Sequence, residues 1–230
     1  MKEAKNSLKR YERKWVFSNK NVNVDHNQIL ILLNKSSFFF TKQFPDRFVN
    51  SMYFDDQHYT SMHQNIDGIN FKKKYRLRWY GSFSQIKDPV FEIKEKSGFE
   101  VKKSSFNVNE LNNLDLLNHK DIEKIESFIN KNFNFKNKIF PILTTHYLRN
   151  YFISENNLIR ATIDTDLKSL FLYQMRNAGI IKNFNDIILE LKYDLNLDEY
   201  VRSNLLNISV RLSKNSKFIN SAISSANTLS

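Results

Sequence analysis

Apolar and polar residues alternate with a period of two along much of this chain, the pattern of extended strands that bury one face. It predicts strands over Leu8–Phe17, Phe48–Phe54, Phe71–Tyr80, Pro89–Lys96, Thr144–Ser154, Leu158–Asp164, Asp186–Tyr193 and Asn207–Ser213. Between them the spacing turns helical. Asp25 is placed to cap a helix carrying Ile29, Leu30, Leu32 and Leu33. Residues 109–118 and 121–133 repeat apolar positions at three and four, as do 197–206 and 216–223, the last with Ser216 as its cap. Phe38 to Phe40 is expected to anchor the core beside the first helix. Eight strands with helices between them predict an α+β protein built on a closed or nearly closed antiparallel barrel, helices packed outside. No repeat and no linker interrupts the pattern, so a single domain over residues 1–230 is expected.

The polar positions are unusual in kind. Residues two apart on a strand share a face. One face carries Arg10, Glu12 and Lys14, another Lys72, Lys74, Arg76, Arg78 and Tyr80. Glu92, Lys94 and Lys96 form a third set, Arg160, Thr162 and Asp164 a fourth, Glu190 and Lys192 a fifth. The opposite faces are apolar: Tyr75, Leu77 and Trp79; Phe91 and Ile93; Ile159, Ala161 and Ile163; Leu189, Leu191 and Tyr193. A single such strand is ordinarily the wet side of a half-buried sheet. Five of them, choosing Arg, Lys and Glu in a chain rich in Asn, point to a barrel that turns its charged face inward. A lumen lined so densely with cations cannot satisfy itself, because burying unpaired ions costs on the order of several kcal/mol each. It needs water and a strongly anionic guest. Arginine forks and lysine point charges suit phosphate, and interleaved carboxylates suit a divalent cation lying between them and the phosphates.

Composition sharpens this. The formal net charge is +11, which favours an anionic partner: nucleic acid, a phosphorylated molecule or polymer, or an acidic membrane surface. There is no cysteine, which excludes disulfides, thiolate metal sites and a cysteine nucleophile. The longest aliphatic run, Ile29 to Leu33, is too short to span a bilayer, and the charged first fifteen residues do not read as a secretory signal. A cytoplasmic location with no membrane span is the expectation. The histidines are scattered singly and are read as surface or loop residues. Asp55 and Asp56 follow a strand and suit a turn or a catalytic role equally.

In order along the chain come R-x-E-x-K (Arg10, Glu12, Lys14), Tyr53-Phe54-Asp55, K-x-R-x-R-x-Y (Lys74, Arg76, Arg78, Tyr80) and E-x-K (Glu92, Lys94). Tyr147-x-Arg149, R-x-T-x-D (Arg160, Thr162, Asp164), a second E-x-K (Glu190, Lys192) and Ser213-Lys214 with Lys217 follow. This ordered set, over residues 8–220, resembles the catalytic domain of the vacuolar transporter chaperone (VTC) complex and its bacterial relatives. That family belongs to the triphosphate tunnel, or CYTH-like, metalloenzymes.

The resemblance implies an eight-stranded tunnel that holds ATP and inorganic polyphosphate, with transfer of the γ-phosphoryl group to a growing chain. Its basic residues fall on Lys14, Arg76, Arg78, Lys94, Arg149, Arg160, Lys214 and Lys217, and its metal-binding glutamate on Glu190. In the expected mechanism Arg76, Arg78, Arg149, Arg160 and Lys94 act on the transferred group. Lys14, Lys74, Tyr80, Lys192, Lys214 and Lys217 bind substrate, and Glu190 with Glu12 holds Mn2+ or Mg2+. Lys217 sits near the start of the last expected helix, whose backbone N–H groups would add to the anion site. Arg10 stands where the wider superfamily has a first glutamate, which weighs against the hydrolase and cyclase branches. Two alternatives stay open: a tripolyphosphatase or non-catalytic polyphosphate binder of the same fold, and a nucleic-acid binder. The last is disfavoured because carboxylates among the cations repel a phosphate backbone and no helix carries a dense basic stripe. A membrane or other protein partner is compatible with the sequence.

Overall fold

The computed structural model describes residues 10–18, 24–98, 100–172, 181–204, 212, 213 and 217. Nine strands are described, β1 (Arg10–Phe17), β2 (Thr41–Asp55), β3 (Phe71–Tyr80), β4 (Val90–Ser97), β5 (Glu100–Asn107), β6 (Phe140–Ile153), β7 (Arg160–Phe171), β8 (Ile181–Phe184) and β9 (Ile187–Asp194). Every pairing is antiparallel, in the order β1-β9-β7-β6-β2-β3-β4-β5, with β8 added to β7. The helices are α1 (His26–Asn34), α2 (Thr60–Ile66), α3 (His119–Asn132) and α4 (Asp198–Ser203).

The ladder is curled, not flat. β1 and β4 stand near its opposite ends, yet Lys94 on β4 lies within Coulombic reach of Glu12 and Lys14 on β1, and Lys74 on β3 of the same pair. Only a sheet wrapped about a common lumen brings those faces together. The α+β, antiparallel, tunnel-type architecture expected from the alternation is the one observed.

The apolar faces point outward and are covered by helices. Met52, Leu77, Trp79 and Phe91 pack with Ile125 and Ile129 of α3. Trp15, Ala161, Ile163, Leu189 and Leu191 pack with Ile29 and Leu33 of α1 and Val201 of α4. Burial of these side chains removes apolar surface from water at roughly 25 cal/mol per Å2, the main favourable term for such a shell. Phe38 and Phe40 join the second group as expected, while Phe39 between them is exposed and has φ 49°.

Local signals explain most boundaries. Asp25 accepts from the Gln28 backbone N–H at 2.8 Å, and the Gln28 side chain accepts from the Asp25 N–H at 2.9 Å, a reciprocal cap that starts α1. Asn118 does the same one-way service for α3, accepting from Lys120 N–H at 3.0 Å. The helix expected over 109–118 does not form. Only residues 109–111 make a single tight turn; the rest is drawn into backbone pairing with residues 84–86 through Ile86 N–H to Leu114 O, Asn113 N–H to Ile86 O and Leu116 N–H to Ser84 O. Tertiary hydrogen bonding overrides the local periodicity there.

Three elements were absent from the sequence reading. α2 is short, and its first amides are held by Asp55, which accepts from Ser61 and Met62 N–H, and by Asp56, which accepts from His58 and Thr60 N–H. This gives both aspartates the turn role. β5 has weak alternation, and β8 is only four residues long. The expected strand over 207–213 lies mostly outside the described residues. Its end is seen as a bridge from Leu212 to Trp15 and a bond from Ser213 N–H to Lys14 O. The expected helix over 216–223 also lies outside them, apart from Lys217.

Candidate functional site: a cation-rich lumen

The inward face gathers charges from seven strands into carboxylate-centred groups. Glu92 on β4, 2% exposed, is the first centre. It accepts from Arg76 Nε at 2.5 Å, Arg78 Nε at 3.1 Å and Lys103 Nζ at 2.9 Å. Burial alone would raise its pKa, but Arg76, Arg78 and Lys103 hold it down at about 2. The register places these partners: Arg76 lies directly opposite Glu92, and β5 brings Lys103 beside it.

Asp164 on β7, 1% exposed, is the second centre. Arg149 on β6 grips both of its oxygens, Nε to Oδ1 at 2.6 Å and Nη2 to Oδ2 at 2.7 Å, and Lys217 Nζ reaches Oδ2 at 2.5 Å. Against its burial, Arg149 and Lys217 hold the carboxyl below its usual value. Both cations also lie over the Tyr147 ring, at 5.2 and 4.5 Å.

Glu190 on β9 is the third. Its Oε2 lies 3.4 Å from Lys14 Nζ and its Oε1 2.5 Å from Lys192 Nζ. Oε1 thus has an ion-pair neighbour but no partner in hydrogen-bonding alignment. Lys14 also pairs with Glu12. Despite burial, Glu190 is kept well below the ordinary carboxylate range by Lys192, Lys14 and Arg149, so it is ionised at neutral pH. Against its own burial, Lys14 is held above its usual value by Glu190 and Glu12.

Lys74 and Lys94, opposite one another in the β3–β4 register, sit in a different field. Burial lowers both, and neighbouring cations add to it: Lys94, Lys14 and Lys72 push Lys74 down to about 7. For Lys94, burial with Lys14, Lys192 and Arg76 outweighs Glu12. Positive charge exceeds negative charge at this level of the lumen, which favours an anion there. The inward hydroxyls of Ser51, Thr145 and Thr162 are buried without a hydrogen-bond partner among the described residues.

Of the residues singled out in the sequence, Lys14, Lys74, Arg76, Arg78, Lys94, Arg149, Lys192, Glu12 and Glu190 therefore share one lumen. Tyr80 accepts a hydrogen bond from Arg78 Nη1. Arg160 is exposed at the start of β7, opposite Lys192, and stands at a mouth of the lumen instead of deep within it. Lys214 lies outside the described residues. Two inward cations escaped the sequence reading. Lys103 sits on the unrecognised β5. Arg47 sits on the bulged first half of β2, opposite Arg149. The run Lys102-Lys103 and the basic residue one step before Phe48 were the only signals available.

Whether a divalent cation fits can be judged from the donors. Among the described residues, no three His, Asp or Glu groups converge as a preformed metal site. Glu190 and Glu12, joined through Lys14, offer the one or two carboxylates that Mg2+ or Mn2+ commonly takes when phosphates complete its shell. The poorly aligned Glu190 Oε1 is an acceptor such an ion would satisfy. The residues fit a site completed by substrate.

An antiparallel sheet curled around a basic lumen with embedded glutamates defines a tunnel-type fold. Two solved structures share this fold. One is a protein from Vibrio parahaemolyticus described as an adenylate cyclase: TM-score 0.53 at 12% identity, covering 94% of this chain and 99% of that one. The other is HpAC1 from Hippeastrum, named an adenylyl cyclase and reported with a dominant triphosphatase activity: TM-score 0.51 at 11% identity, covering 92% and 96%. At such identities the likeness concerns fold alone. The chain belongs to the VTC domain family, whose pattern matches residues 3–225. It is also 26% identical over 151 residues to vacuolar transporter chaperone complex subunit 2 of Saccharomyces cerevisiae. That match takes in 53% of this chain and 18% of the yeast protein, so the chain corresponds to a small part of that relative. No described helix is long and apolar enough to cross a membrane.

Proposed function

We propose that this protein is a metal-dependent polyphosphate polymerase, one tunnel domain over residues 1–230 acting in the cytoplasm on ATP and inorganic polyphosphate. The observation that carries the reading is the lumen itself, where arginines are fixed by buried carboxylates and Lys74 and Lys94 lie among further cations. Fixed forks can orient a triphosphate; clustered lysines can neutralise it. Phosphoryl transfer asks mainly for those two services.

In this mechanism Arg76, Arg78 and Arg149, with Lys94, hold the ATP triphosphate in line with the chain end, and Arg160 guides phosphates at the mouth. Lys14, Lys74, Lys192, Lys214 and Lys217 neutralise incoming and product phosphates, and Tyr80 braces Arg78. A terminal phosphate oxygen, already ionised, attacks the γ-phosphorus; the bond to the β-bridging oxygen breaks and ADP leaves. No strong general base is required. Mn2+ or Mg2+ held by Glu190 and Glu12 would offset charge on the phosphate oxygens during transfer.

Incubation with ATP and Mn2+, followed by gel separation, tests this: polymer ladders are expected, whereas orthophosphate or pyrophosphate alone would identify a hydrolase. Glu190→Gln is expected to abolish turnover while leaving the fold intact, and full activity would remove Glu190 from the metal role. A second reading, polyphosphate binding without transfer, is favoured by the ammonium groups of Lys14 and Lys192 that already lie against Glu190. Tripolyphosphate binding with no turnover would select it.

A further inference from the structure

β2 and β6 are out of step by one residue between Phe44 and Arg47. Phe44 pairs with Tyr151 and Arg47 with Arg149, so three steps on β2 match two on β6. In a regular strand, residues three apart face opposite sides. Arg47 is in phase with Val49, Ser51 and Tyr53 and faces the lumen by ordinary alternation; the extra residue, in the Pro45-Asp46 segment, turns Phe44 to the same side, alongside Tyr151 and Arg149. Bulges of this kind commonly re-aim a side chain beside a functional site.

The Arg47 guanidinium lies among rings. Its Cζ lies 4.6 Å from the Tyr80 centroid, 4.9 Å from Tyr151 and 5.5 Å from Phe44. Tyr80 is itself 4.9 Å from the Arg78 guanidinium, so the column Tyr151, Arg47, Tyr80, Arg78 continues to the Glu92 group. Arg47 differs from the inner arginines in one respect. Arg76 and Arg78 share Glu92, and Arg149 has Asp164. Among the described residues Arg47 has no carboxylate partner, and its buried Nε has no hydrogen-bond partner. Ring contacts hold the group without a carboxylate taking up its N–H donors. Those donors form the fork that grips phosphate oxygens in pairs.

The geometry points to an outer phosphate subsite formed by Arg47 and positioned by Tyr80, Tyr151 and Phe44. It takes a chain phosphate beside Arg149 and past those held by Arg76 and Arg78. This rests on the reading of the lumen as a phosphate tunnel and adds a consequence: the protein discriminates by chain length, since only a chain longer than the triphosphate reaches Arg47.

Calorimetric titration of the full chain with tripolyphosphate and with long-chain polyphosphate tests it. Arg47→Gln is expected to weaken long-chain binding about tenfold while leaving tripolyphosphate within about twofold, the size of one lost charge-assisted contact. Should that variant fail to fold, Arg47→Lys, which keeps the charge and loses the fork, is expected to show the same selective loss at about threefold. Unchanged binding of both ligands, or equal loss of both, overturns the subsite. Failure of the unaltered protein to bind either chain overturns the phosphate tunnel and the subsite together.

Discussion

The arginines and the lysines of the lumen solve opposite problems. Arg76, Arg78 and Arg149 each have a buried carboxylate within hydrogen-bonding distance, so their positions are set before any ligand arrives. Lys74 and Lys94 face each other and are pushed down by burial and by neighbouring cations, so the field around them favours an incoming anion. The first group supplies geometry and the second supplies affinity. A site that neutralised every cation would be rigid but indifferent to phosphate; one that neutralised none would not fold.

Removing an anchor should do the most damage. Glu92→Gln leaves Arg76, Arg78 and Lys103 buried together without their counter-charge, and unfolding in urea is expected to show a loss of about 3–5 kcal/mol. Tripolyphosphate should restore part of that loss by replacing the missing negative charge. The same anchor has a pH signature. Because the folded value is about 2, below the ordinary carboxyl range, the Glu92 contribution is intact at neutral pH and is lost as pH falls toward about 2. Glu92→Gln should therefore flatten the acid limb of the stability curve; an unchanged limb would place the acid sensitivity elsewhere.

Thinning the lysines should act in the reverse direction. Lys74→Met relieves like-charge repulsion, so thermal stability is expected to rise while tripolyphosphate affinity falls about tenfold, one charge-assisted contact's worth. A variant that loses stability as well would mean that Lys74 is structural. A milder perturbation needs no substitution. With Lys74 lowered by burial and neighbouring cations to about 7 in the free state, an anion that requires its ammonium must recruit a proton at higher pH. Affinity is therefore expected to weaken as pH rises through about 7, with proton uptake visible as a dependence of binding heat on buffer. Equal heats in all buffers would exclude that linkage.

The smallest effect is expected outside the lumen. Arg13 donates to Asp198 at 2.6 Å, and Tyr193 O–H donates to the same oxygen at 2.7 Å, fastening α4 to β1 and β9 on the outer face. Asp198→Asn should cost about 1 kcal/mol, since the pair is partly exposed, and should leave anion affinity unchanged. Any loss of affinity there would blur the distinction between anchoring and binding groups.

Much of this was legible in the chain because a strand face is a local property. Arg76, Arg78 and Tyr80 share a side whatever their partners, as do Glu190 and Lys192. β3 was bounded residue for residue, and Asp25 announced α1. What could not be read were features that depend on a neighbouring strand. The helical spacing of 109–118 yields to pairing with 84–86, β5 has little alternation of its own, and Phe44 joins Arg47 on the lumen side only through a bulge defined against β6.

The sequence by itself determined that charged faces alternate with apolar ones and that the charged faces gather arginines, lysines and glutamates, because side-chain direction along a strand follows from backbone geometry alone. The tertiary structure decided which charges neutralise one another. Glu92 is shared among three cations, Asp164 takes two, and Lys74 and Lys94 are set among other cations. That allocation depends on register and curl across distant strands, and electrostatic energy depends on distance and burial, neither of which a linear order of residues contains.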